Sequence, residues 1–182
     1  MLNKRGDVWI STVIYIALGI IAMTLIIGAG VPLINKIRDR NTFQQTKELM
    51  HTIDSAIQEV LFEGPGSQRL LSPVIIKEGA LYIRGIPETG GQNIIVWTME
   101  TKALLLEPNK LIKEGNLKLN LTEHQFLTDT YNAKIIIDYF DERQIELKVD
   151  DEDKQPIKGK NSIVITNTGV DSNFVNIRID VR

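Results

Sequence analysis

The chain has no cysteine. That excludes disulfide frameworks, thiol nucleophiles and thiolate-ligated zinc together. Histidine is almost as scarce, with only His51 and His124. Asp54 follows His51 by three residues, a helical spacing that more commonly gives a surface hydrogen bond than a metal site, and His124 has no second ligand nearby. There is no G-x-S-x-G elbow, no phosphate-binding G-x-x-x-x-G-K-[ST] loop and no G-x-G-x-x-G turn. Gly64-Pro65-Gly66 does not replace them, because Pro65 lacks the N–H that a phosphate cradle needs. The expectation is a protein that is not an enzyme and needs no cofactor and no metal. Strong charge of one sign is also missing. Residues 41–182 carry 16 basic against 21 acidic side chains, a net of −5, which gives no electrostatic reason to bind nucleic acid. Residues 1–40 carry five basic against two acidic, a net of +3.

From Val8 to Ile34 formal charge is absent altogether, for 27 residues. A helix of that length spans ~40 Å, more than the ~30 Å hydrocarbon core of a bilayer. Trp9 and Tyr15 lie near its start, where amphipathic aromatics suit the interface. Lys36, Arg38 and Arg40 follow its end and can snorkel to headgroups. Two basic residues before the segment and three after it leave the orientation undecided by charge. A conventional signal peptide would use Gly28-Ala29-Gly30 as its small-residue cleavage site, but the apolar stretch before it exceeds the usual 7–15 residues. A plain uncleaved anchor is the second reading.

The third reading starts from Lys4-Arg5-Gly6, a basic tag ending in glycine directly before the apolar segment. It resembles the class III signal peptide of archaeal type IV pilins and archaellins. The resemblance extends to Trp9-Ile10, to Ile14-Tyr15-Ile16-Ala17-Leu18-Gly19, to the basic exit Lys36–Arg40 and to the Gly64-Pro65-Gly66-Ser67 break, so it covers roughly the first 70 residues. It implies a prepilin peptidase that recognises Lys4, Arg5, Gly6 and Asp7 and cuts after Gly6, leaving the helix on the mature protein. The glutamate that bacterial type IV pilins carry five residues into the mature chain is replaced here by Ser11, which fits the archaeal branch better. The resemblance further implies self-association or association with related pilins through the N-terminal helix, a pilus assembly ATPase and platform, and an extracellular C-terminal domain.

Pro32 is expected to kink the helix or loosen one of its turns. Beyond it Leu49, Met50, Ile53, Ile57, Val60 and Leu61 recur at spacings of three and four, one stripe of an amphipathic helix that stops at Gly64-Pro65-Gly66. Period 2 then replaces period 3.6. Leu117-Leu119-Leu121, Ile145-Leu147-Val149 and Val175-Ile177-Ile179-Val181 each alternate with polar residues. Shorter runs at 74–76, 81–83, 94–97, 103–106, 135–140 and 163–165 bring the expected strands to about nine. They are separated by Glu78-Gly79, Gly90-Gly91, Glu114-Gly115, Asp141-Glu142 and Thr168-Gly169.

The expected fold is α+β: a long N-terminal helix, half transmembrane and half amphipathic, followed by an antiparallel β-sandwich-like domain. The expected divisions are a leader at 1–6, a transmembrane or filament-core helix at 7–35, its amphipathic continuation at 36–63 and a β-rich domain at 67–182. Asn120-Leu121-Thr122 is the one N-glycosylation sequon, with Asn120 on the polar side of its strand. Asp150-Asp151-Glu152-Asp153 reads as a solvated turn, since calcium-loop spacing is absent. Two functions remain. One is a structural subunit of a pilus-like surface filament. The other is a monomeric membrane-anchored extracellular β-sandwich that binds a partner.

Overall fold

The structure, a computed structural model, describes residues 4–83, 93–139, 145–149, 156–171 and 174–182. The chain divides into two compact units, residues up to Arg38 and Asp39–Arg182. One helix, α1 (Lys4–Glu63), supplies residues to both and is unbroken at Pro32.

In the first unit α1 is long and apolar enough to cross a membrane, and none of its most apolar window is buried inside the protein. Every described large apolar side chain from Trp9 to Ile37 is exposed. A helix that is apolar all round has no single face to turn toward a core. The Thr24 hydroxyl donates to the Ile20 carbonyl at 2.8 Å, which satisfies a polar group within the apolar stretch.

In the second unit the same helix becomes one-sided. Phe43, Met50, Ile53, Ile57 and Val60 are buried, at intervals of seven, three, four and three, while Leu49 and Leu61 pack at the margin. The buried stripe begins earlier than the sequence pattern suggests, at Thr42, Phe43 and Thr46. The strands β1 (Gln68–Ile83), β2 (Ile94–Thr101), β3 (Ile112–Glu114), β4 (Leu117–Glu123), β5 (Tyr131–Asp138), β6 (Ile145–Val149), β7 (Ile157–Asp171) and β8 (Phe174–Val181) form a single sheet. Its order is β3-β4-β5-β2-β1-β7-β8-β6. Leu117, Leu119 and Leu121 of β4, Ile135 and Ile137 of β5, and Ile177 and Ile179 of β8 are fully buried and share one core with the helix stripe. Phe43 meets Trp97 of β2 with ring centroids 6.2 Å apart.

The sheet is mixed, where an antiparallel sandwich was expected. β6 lies parallel to β8, with Ile145 opposite Val175 and Val149 opposite Ile179. β6 lies outside β8 at the edge of the sheet and runs in the β8 direction, while β7 on the other side of β8 pairs antiparallel. Three local expectations also change. Glu78-Gly79 does not divide one strand from the next. It forms an irregularity within β1, between Ile76 and Leu81. Gly79 has φ +77°, and a Cβ there would strike the Thr98 carbonyl oxygen and come within 2.8 Å of the Met99 Cβ. Thr168-Gly169 is likewise a register shift inside β7. Residues 103–106 form no strand. They lie in the β2–β3 connection, where the Ala103 N–H donates to the Thr101 hydroxyl at 2.9 Å and Leu105 and Leu106 pack on the core as consecutive residues. The Glu114-Gly115 turn is where expected, between β3 and β4. Gly90-Gly91 and Asp141-Glu142 lie outside the described residues.

Candidate functional site

Lys4, Arg5, Gly6 and Asp7 fall in the first turns of α1. The backbone is helical there, and the side chains lie outside the described residues.

The largest chemical feature is the apolar surface that follows. Tyr15, Ile20, Leu25 and Ile26 are each between 61% and 73% exposed. A Cβ added at Gly19, Gly28 or Gly30 would meet nothing within 4 Å. Such a surface needs lipid or other helices around it, and its small residues let a facing helix come close.

Polar contacts brace the second half of α1 to the sheet. Asp54 is nearly buried, and its carboxylate accepts the Tyr139 hydroxyl at 2.6 Å and the Asn116 amide at 3.0 Å. Nearer the helix end, the buried Asn167 donates its side-chain amide to the Val60 carbonyl at 3.0 Å, while its backbone pairs with Gly66 and Ser67. At the start of this unit the Thr101 hydroxyl donates to Asp39 at 2.6 Å. Outside the core, Arg69 donates to Glu59 at 2.8 Å and to Glu63. Those two hydrogen bonds, Glu59 first, raise the Arg69 pKa above its ordinary value, so it stays charged at any physiological pH. Among the side chains that make these contacts only Asp54 stands out in the sequence, as a neighbour of His51, and its partners Asn116 and Tyr139 lie in the β3–β4 turn and just beyond β5.

The other residues singled out from the sequence are not brought together. His51 is half-buried on α1. His124 accepts the Phe126 N–H at Nδ1 and stands 3.8 Å from Glu100. Asn120 lies in β4 opposite Lys134 of β5, half-buried. Its Oδ1 is shielded from solvent and has no hydrogen-bond partner among the described residues. The sequon therefore belongs to a paired strand. Asp150–Asp153 lies outside the described residues. Among the described residues no group of three or more histidines and carboxylates is placed to hold a metal.

No family model, curated protein or solved structure matches this chain.

Proposed function

We propose that this chain is a structural subunit of a type IV pilus-like surface filament of the archaeal kind. The observation that carries the reading is the division of α1. Its first half is apolar on every side and uncovered, and its second half is built into a folded domain. The first half resides in the membrane as a single pass until assembly, with the β-rich domain outside the cell. A prepilin peptidase recognises Lys4-Arg5-Gly6-Asp7 and cuts after Gly6. The new amino terminus then carries Asp7, whose carboxylate offsets the positive end of the helix dipole. Copies exchange lipid for one another's helices, and the residues without a Cβ permit close approach. Extraction from the bilayer needs work from an assembly ATPase and its platform, since burying the same apolar surface in protein instead of lipid gains little hydrophobic free energy. Asn120 takes a glycan only in a chain modified before β4 pairs with β5.

The test is the Gly6→Val variant in cells that hold the processing and assembly machinery. The expected result is a chain that keeps its leader, stays in the membrane and yields no filaments by electron microscopy. Filaments formed equally well by the variant would contradict the proposal. A chain never shortened in either form, and monomeric in the membrane, would favour the tethered binding module.

A further inference from the structure

The β4–β5 loop (124–130) is an arch closed at its base. Glu123 pairs with Tyr131 where the two strands meet the loop, and the His124 N–H donates to the Thr130 carbonyl at 2.8 Å just beyond them. Thr130 is buried, and Asp129 turns the chain with φ +54°. Residues 123–131 line a cavity of about 370 Å³. That volume falls within the range of small-molecule sites.

Phe126 is the largest side chain on the arch and is 87% exposed. Other apolar side chains of the β-rich unit, Phe62 among them, are exposed too, so exposure alone does not distinguish it. Its setting does. The Phe126 N–H donates to His124 Nδ1 at 3.2 Å, and the two rings meet edge to face with centroids 6.3 Å apart. These contacts hold a flat apolar ring at the cavity and leave most of its surface to solvent. Most of the remaining lining is polar. Gln125 contributes an amide, Thr128 a hydroxyl, and Glu123 and Asp129 carboxylates.

This chemistry narrows the occupant. The lining holds no lysine or arginine, so an anion finds no fixed cation there. Among the described residues no cluster of histidines and carboxylates is placed to hold a metal. A wholly apolar ligand would strip water from the amide and the carboxylates without replacing their hydrogen bonds. An organic cation would meet Glu123 and Asp129, but both are exposed, and attraction between solvent-screened charges is weak. A neutral sugar suits each part of the lining. The C–H face of its ring can lie on an aromatic ring, and its hydroxyls can donate to carboxylates and exchange hydrogen bonds with an amide and a hydroxyl.

We propose that the β4–β5 arch is a saccharide-binding site, with Phe126 as the stacking platform and Gln125, Thr128 and Asp129 as the groups that read the sugar hydroxyls. Every residue it uses lies in the β-rich unit, so the site does not depend on the filament reading.

The test uses the full chain, isotope-labelled and held in phosphatidylcholine nanodiscs. It is titrated into the millimolar range with the methyl glycosides of glucose, galactose, mannose and N-acetylglucosamine, and backbone amide shifts are read by NMR. The expected result, with at least one glycoside, is a saturable shift concentrated in residues 123–131. Phe126→Ala should weaken that binding roughly tenfold, as loss of a ring contact implies, while Phe126→Trp retains it. Both variants should keep the thermal melt of the unchanged chain. Phe62→Ala removes a similarly exposed ring and should bind as the unchanged chain does. No saturable shift with any of the four glycosides would overturn the proposal, and so would shifts that Phe126→Ala leaves intact. Shifts produced by tetramethylammonium chloride and by none of the glycosides would overturn it in favour of an organic cation.

Discussion

Two stretches of α1 have opposite surroundings. From Ser11 to Ile34 the helix carries no charge, is largely apolar on every side and is uncovered. From Asp39 to Glu63 a buried stripe runs through Phe43, Met50, Ile57 and Val60, while Glu48, Gln58 and Glu59 take the other faces. The backbone is helical throughout. The difference therefore lies in what each stretch requires of its environment. The second finds its solvent in its own chain, as β4, β5, β2 and β8. No described residue of the chain covers the most apolar window of the first, which is long and apolar enough to cross a membrane.

Charge substitutions should break this comparison most sharply. Ile57→Lys places an unpaired charge in the core, a cost of at least ~4 kcal/mol, and the domain should lose its cooperative melt by circular dichroism. Ile26→Lys should leave that melt unchanged. Its expected effect is on membrane insertion, at ~3 kcal/mol, read as the fraction resisting alkaline extraction.

Trp97→Ala comes next. It removes the Phe43 contact and the indole N–H bond to the Glu78 carbonyl at 3.1 Å. The expected loss is ~3–5 kcal/mol in denaturant unfolding of the domain, against no change for Tyr15→Ala.

Asp54→Ala removes the buried carboxylate that accepts the Tyr139 hydroxyl and should cost ~1–3 kcal/mol in the same measurement. Arg69→Ala should lower the melting temperature only slightly, and added salt should erase the difference, because its ion pairs are solvent-screened.

These predictions separate what was readable in the sequence from what was not. Hydrophobic period reports burial. Hence the stripe through Met50, Ile53 and Ile57 and the alternation at 117–121, 145–149 and 175–181 reappear as buried faces. Period carries no sign of strand direction, so nothing at Ile145–Val149 announced a parallel neighbour. Breaker residues are ambiguous in a similar way. A glycine with positive φ serves a bulge as well as a turn, and Gly79 and Gly169 sit within β1 and β7 while Gly115 turns a hairpin. The braces between helix and sheet were out of reach because their partners are remote in sequence. Asp54 and Tyr139 are 85 residues apart, and Val60 and Asn167 are 107 apart. The proposed leader rests on a short string, Lys4-Arg5-Gly6, placed before a long apolar segment, and recognition by an outside peptidase would leave no mark on the fold.

The central claim is that the apolar half of α1 stays on the mature protein after its basic tag is removed. The most direct measurement is the intact mass and N-terminal sequence of the protein extracted from its native membranes. The expected chain begins at Asp7 and retains every residue of the apolar segment. A chain beginning at Met1, or one beginning near Val31 with the segment gone, would contradict it.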